Sequence, residues 1–326
     1  MSTFDFEVLE YDPTLGAAAQ RVGVSNFSLS EKRLIISTVR SILAGRGTWA
    51  VRHYLAASVI PTLHFFVDRA RAPDFCVAGV NVFQLRDFSL TSRIGELAQG
   101  ISYAYWAFHR RSFVTDFVDW SKTVHPYVPL PTRPDYVVSP HGASYLMAVE
   151  AKGTVSHSPK DQMRKALRQA KGTAHHPALS NAFGTVVTFE AQVSHPARIH
   201  IQDPESGGNA TMRDRWEVFR RSFASFYEMA GDFDKAARCR GEEGSPRDQR
   251  SDFVRLSLLA ALGLEHAEFT VNPVVERAVF EFSAFEEGGW QETLGGWKQD
   301  RLTDTRLDFP DGTCIKVGDT EITENA

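Results

Sequence analysis

Residues 134–152 read PDYVVSPHGASYLMAVEAK, and the way apolar and polar positions succeed one another there decides how the middle of the chain folds. Asp135 to Ser139 is rich in β-branched residues, and Pro140, His141 and Gly142 supply a turn. Ser144 to Lys152 is a second apolar run, so the stretch predicts an antiparallel hairpin. Side chains alternate along a strand, which puts Glu150 and Lys152 on one face and Val149 and Ala151 in the opposite layer. The hairpin brings Asp135, at the start of one strand, beside Glu150 and Lys152 near the end of its partner. Two carboxylates and an ammonium then share one surface. That set suits phosphodiester hydrolysis, which needs a hard cation held by oxygen, an oriented water and positive charge beside the phosphate. Asp135 and Glu150 are candidate Mg²⁺ ligands, the Ala151 carbonyl can add a third oxygen, and Lys152 can hydrogen-bond the scissile phosphate.

Working outward, Pro126 to Pro134 contains four prolines and reads as an extended connector. Upstream of it, Ser92 to His109 places Ile94, Leu97, Ile101, Tyr105 and Phe108 on one helical face. Phe75 to Leu85 reads as a strand, while Leu29 to Leu43 and Thr48 to Phe66 read as helices broken at Gly45 and Gly47. A helical amino-terminal segment over residues 1–90 is therefore expected. Downstream, Ser158 is a candidate cap for a helix over Pro159 to Lys171, with Asp161 completing a capping box and Gly172 a left-handed exit. Gly184 to Ala191 and Ala197 to Gln202 read as strands. Met212 to Met229 reads as a helix bearing Arg213, Arg215, Arg220 and Arg221. Asp232 to Asp252, rich in charge and glycine, reads as a loop or boundary. Phe253 to Leu264 reads as a short helix, and the acidic end as partly β, with a turn at Pro310-Asp311-Gly312.

Pro134-Asp135 with Glu150-Ala151-Lys152, a helix and then strands resembles the PD-(D/E)XK nuclease superfamily of restriction and repair enzymes. The resemblance implies a mixed α/β, restriction-endonuclease-like core sheet flanked by helices, assigned here to residues 91–231. A charged loop and an accessory segment follow over 232–326. It also implies a Mg²⁺-dependent nuclease, with Mn²⁺ able to substitute, acting on DNA in restriction or antiviral defence. A helix ahead of the hairpin often supplies another acid in such enzymes, which makes Glu96 the candidate third metal ligand. Some branches use a Gln on the following helix, a role open to Gln162 or Gln169. A first strand between the Glu96 helix and Asp135 is not obvious unless Ser112 to Phe117 forms it. Cutting both strands of a duplex calls for a homodimer or a second protein, and any ATP-driven motor would be a separate partner, because no nucleotide-hydrolysis motif is present.

Lys160, Arg164, Arg168 and Lys171 recur at spacings of four, four and three, a basic stripe able to track a phosphate backbone together with Gln162. A plainer reading makes the stripe a solvated helix face, Glu150 and Lys152 an exposed ion pair, and Glu96 a surface residue. The rival function is a non-catalytic nucleic-acid-binding or assembly subunit.

The charge distribution is compatible with a polyanionic partner. The net charge is -4, but residues 266–326 carry 5 basic against 13 acidic residues and the remainder 31 against 27. With 326 residues, 43% of them hydrophobic and 23% charged, the chain can bury a full core. Cys76, Cys239 and Cys314 lie too far apart for paired metal motifs, and reduced thiols in a cytoplasmic setting are expected. The acidic stretch from Met1 to Asp12 does not read as a secretion signal. The run from Tyr54 to Val67 is too short and too interrupted for a membrane span, so no membrane partner is expected.

Overall fold

The computed structural model describes residues 3–12, 20–45, 49–78, 87–124, 132–156, 158–173, 176–179, 181–189, 196–202, 210–242, 249–296 and 306–317. Seven strands form a mixed sheet: β1 (Thr3–Tyr11), β2 (Arg21–Ser30), β3 (Ser112–Asp116), β4 (Tyr136–Pro140), β5 (Met147–Thr154), β6 (Asn181–Thr188) and β7 (Arg198–Gln202). Their order across the sheet is β2-β1-β7-β6-β5-β4-β3. A second sheet, β8 (Glu268–Val271), β9 (Arg306–Asp308) and β10 (Thr313–Lys316), has β10 in the middle. The helices before the hairpin are α1 (Glu31–Ala44), α2 (Trp49–Ala57), α3 (Val59–Phe66), α4 (Asp87–Ala104) and α5 (Phe117–Val124). After it come α6 (Lys160–Lys171), α7 (Met212–Ser222), α8 (Ala224–Ala230), α9 (Phe233–Arg240), α10 (Gln249–Leu262), α11 (Pro273–Phe280), α12 (Phe282–Glu287) and α13 (Gly289–Gly295).

The expected hairpin forms because both of its runs are apolar enough to be covered on two faces. β4 and β5 pair antiparallel with Tyr136 opposite Val149, Val137 opposite Ala148 and Val138 opposite Met147. Gly142, at φ 76, makes the turn a region open to glycine at little cost. Ser112–Asp116 is the missing first strand, and it pairs antiparallel with β4. β6 then lies parallel to β5, so α6 is the crossover between them.

Two glycines fix how closely the helices approach this unit. A Cβ on Gly153 of β5 would stand 2.5 Å from the Ile94 carbonyl oxygen, so the α4 backbone rests directly on the strand. A Cβ on Gly184 of β6 would stand 2.8 Å from the Met163 sulfur, so α6 rests on the opposite face. Val149 and Ala151 accordingly join the main core with Ile94, Leu97 and Ile101 of α4 and Leu34 and Val39 of α1. Met163 and Leu167 of α6 cover Val186 on the other side. Each fully buried Leu, Ile or Val in these layers is worth roughly 1.5–3 kcal/mol, which is why these helices dock where they do.

Several expectations change. Among the described residues the chain ahead of Glu31 is not helical: β1 and β2 pair antiparallel and extend the sheet through parallel pairing of β1 with β7. Phe4, Phe6 and Val8 are buried and the residues between them point away, so the stretch obeys a period of two. Of the strand expected over 75–85, residues 79–85 lie outside the described residues; Val77 makes only an isolated bridge with Val67. Much of the connector, 126–131, also lies outside them. At α6 the cap is Pro159 with no side-chain cap bond, and Gly172 has φ -59, a right-handed exit, so neither the Ser158 capping box nor the left-handed exit forms. The Arg-bearing helix breaks at Phe223 into α7 and α8. Asp232, read as loop, accepts from the Lys235 N–H and starts α9. The acidic end is partly β, as expected, with α11, α12 and α13 beside its small sheet. Among the described residues no helix is long and apolar enough to cross a membrane.

Candidate active site

β4 ends its pairing with β5 at Tyr136, and Asp135 lies just before it, where the strand edge of β5 becomes free. The Asp135 carboxylate fills that gap: Oδ2 accepts from the Ala151 N–H at 2.9 Å, and Oδ1 accepts from the Gln99 side-chain amide at 2.9 Å. In extended backbone the N–H and C=O of one residue point to the same side. The Ala151 carbonyl therefore also faces this gap rather than the β6 ladder.

Glu150 and Lys152 point to the face of the sheet on which α6 lies, as the alternation predicts. Glu150 is fully buried, whereas the Lys152 side chain is 30% exposed, and the two form a direct ion pair. Lys152 Nζ also donates to the side-chain carbonyl of Gln169 at 3.3 Å, and the Gln169 amide donates to the Arg133 carbonyl at 2.9 Å. The ammonium is thus held from two sides.

The second carboxylate oxygen of Glu150 is buried and has no hydrogen-bond partner. A buried acceptor left in that state costs about 1–3 kcal/mol, more for a charged group. Burial, followed by the nearby Asp135 charge, pushes the Glu150 carboxyl up to about 8, against the attraction of Lys152 and a weaker pull from the Asp135 N–H, which does not reach hydrogen-bond geometry with the second oxygen. Burial also raises Asp135, opposed by the Ala151 N–H, Lys152 and Gln99. Two acids so placed cannot both be ionised cheaply without a cation.

The donor set fits a hard divalent cation. Asp135, Glu150 and the Ala151 carbonyl are all oxygens, and the unpartnered Glu150 oxygen is the atom whose burial a cation would relieve. Glu96 does not join them. It accepts from Arg93 at 2.8 Å, and among the described residues no three His, Cys, Asp or Glu side chains gather into a group able to hold an ion. The reason is geometric, because α4 packs on the layer opposite Glu150. What α4 delivers to the site is Gln99, three residues further along. Sequence reasoning missed Gln99 because a single amide in a polar position of a helix has no distinctive spacing.

Of the two glutamines open to a role on α6, Gln169 reaches Lys152. Gln162 lies on the same helix face but about 10 Å away along the axis. Lys160, Arg164 and Arg168 are exposed and Lys171 is half-buried, so the basic stripe faces outward, with Arg164 3.5 Å from Asp161. The arginines of α7 serve packing instead. Arg221 is buried against Asp119 at 2.7 Å, Arg220 pairs with Glu217 at 2.6 Å, and Arg213 lies over the Trp216 ring at 4.3 Å.

Set against known proteins, the chain matches no family model, no curated protein and no solved structure. Fold and site together define a mixed α/β protein with a seven-stranded sheet flanked by helices, carrying a buried Glu150, a half-buried Asp135 and a lysine at one strand end.

Proposed function

We propose that the chain is a metal-dependent nuclease of the PD-(D/E)XK type, acting on DNA. The observation that carries this reading is Glu150: a fully buried carboxylate with one unpartnered oxygen, beside Asp135 and bonded to Lys152. Structural ion pairs are normally satisfied on both sides; this one has capacity left over. The order of α4, three antiparallel strands, α6 and a parallel β6 also supports the restriction-endonuclease-like core that the sequence resemblance implies.

Asp135, Glu150 and the Ala151 carbonyl would hold Mg²⁺, or Mn²⁺ in its place. Such an ion would supply Lewis-acid stabilisation of the phosphate oxygens and a more acidic water. Lys152 hydrogen-bonds the scissile phosphate and the attacking water, and its charge acts on the negative charge that develops in the transition state. Gln169 fixes the direction of Lys152, and Gln99 with the Ala151 N–H fixes Asp135. The stripe on α6 draws in the polyanion. A role in restriction or antiviral defence, and cleavage of both strands by a homodimer or with a partner protein, follow from the same reading.

One observation favours a second reading, a non-catalytic nucleic-acid-binding or assembly subunit: Glu96 is turned to Arg93, leaving two carboxylates rather than three. Purified protein incubated with linear and circular duplex DNA, single-stranded DNA and RNA, in Mg²⁺, Mn²⁺ or EDTA, separates the two. Cutting that needs the ion and disappears in Glu150→Ala and Lys152→Ala supports the nuclease. Salt-sensitive binding without cutting supports the subunit, and equal cutting by wild type and variants refutes the assignment of the centre.

A further inference from the structure

The large sheet has two edges, and they are finished differently. At one, β3 is five residues long, Ser112 to Thr115 are buried, and the Phe113 ring packs on Phe219 at 4.6 Å and on Trp290 at 5.5 Å, so α7 and α13 close it. At the other, β2 is ten residues long, and among the described residues no strand pairs with its outer side.

An open edge is a template for another strand, and proteins usually blunt it with lysine, proline, a bulge or a short strand. β2 has none of these along most of its length. Arg21 is its only charged residue and no proline interrupts it. Gly23 to Ser30 pair with β1 without a break, and the register shifts only at Glu10–Tyr11, beside Arg21. Val22 and Val24 lie on one face of the strand and are 66% and 55% exposed, and Asn26, next on that face, is exposed as well. β-branched side chains at an unpaired edge gain most from a strand laid across from them.

We propose that this edge pairs with β2 of a second copy of the chain, antiparallel about a two-fold axis near Val24. Antiparallel edges are self-complementary, because each presents N–H and C=O groups at the spacing the other requires. From Val22 to Ser30 there is no charge to repel a second copy, and the antiparallel sense sends the two Arg21 side chains to opposite ends of the ladder, roughly 20 Å apart. The paired strip is itself only about 20 Å long and buries less than the roughly 800 Å² per partner of a standard interface, so the dimer dissociates in the micromolar range. The axis stands perpendicular to the sheet. Two seven-stranded sheets then run on as one, with both Glu150 side chains on the same face. The pairing does not rest on the nuclease reading; for a nuclease it would present both centres to one side.

The test is sedimentation velocity of the full chain from about 1 to about 200 µM, with hydrogen exchange measured at both ends of that range. A reversible monomer–dimer equilibrium is expected, and the outward amides of residues 21–27 should exchange at least tenfold more slowly at the higher concentration. Val22→Lys and Val24→Lys, at exposed positions, should each keep the wild-type Tm and weaken the dimer at least tenfold. Val24→Thr, still β-branched, should weaken it about threefold at most. Tyr54→Lys, which removes the 71% exposed ring on α2, should leave the dimer unchanged. A chain that stays monomeric at the higher concentration, a dimer that persists in the folded lysine variants or is lost in Tyr54→Lys, or dimerisation without slower exchange at residues 21–27 would overturn the assignment.

Discussion

Replacing Glu150 with Gln keeps its shape and removes its charge, and the structure gives the sign and size of the effect. Burial raises this carboxyl from 4.5 to about 8. Between those values the folded chain holds a proton that the unfolded chain has released. The stability this contributes is fully present below about pH 4.5 and is lost as pH rises towards 8. At 1.36 kcal/mol per pH unit, the loss approaches about 3 kcal/mol by pH 7 and about 5 kcal/mol well above pH 8. The Glu150→Gln variant has no proton to lose, so in EDTA it should match wild type near pH 5 and exceed it at pH 9. At roughly 2 °C per kcal/mol the gap becomes several degrees in Tm, read by calorimetry or circular dichroism. Mg²⁺ should restore the wild type at pH 9 and leave the variant unaffected. A Tm difference that stays constant from pH 5 to pH 9 would refute the account of a buried, strained carboxylate.

Other outcomes follow from the same contacts. Gln99→Leu should lower cleavage 10–100-fold by freeing Asp135 while Glu96→Gln changes it about twofold at most, and the reverse order in a turnover assay would place the third acid back in the site. Gln169→Ala should cost activity through Lys152, whereas Gln162→Ala should not. Removing Lys160, Arg164 or Arg168 should each reduce the slope of log affinity against log salt for duplex DNA by about 1, and an unchanged slope would make the stripe a solvated helix face. Gly153→Ala puts a methyl 2.5 Å from the Ile94 carbonyl oxygen and 2.9 Å from the Ala98 Cβ, so urea unfolding should show a loss of about 1–3 kcal/mol. Wild-type stability there would mean that α4 can slide on β5.

Local pattern determined much of this protein. The hairpin, its turn at Gly142, the shared face of Glu150 and Lys152, the inward layer of Val149 and Ala151, and the apolar stripe from Ile94 to Phe108, carried by α4 and the π-helical turn Tyr105–His109 that follows it, are all periodicities of two or near 3.6. They are written in residue order and are found in the structure. The same logic contains Phe4, Phe6 and Val8, whose alternation is legible in the sequence although residues 1–90 are expected there to be a helical segment.

Tertiary structure decided the rest, because it alone sets which side of a sheet a helix occupies. Glu96 and Gln99 are equally polar and one turn apart, and only the packing of α4 on the Gly153 face turns the amide to Asp135 and the acid to Arg93. Gln162 and Gln169 share a helix face, and only the height of α6 against β5 selects the second. The parallel docking of β1 on β7 joins residues nearly 200 positions apart, a pairing no local spacing encodes. The burial that drives Glu150 towards neutrality likewise comes from what surrounds it, not from its neighbours in the chain.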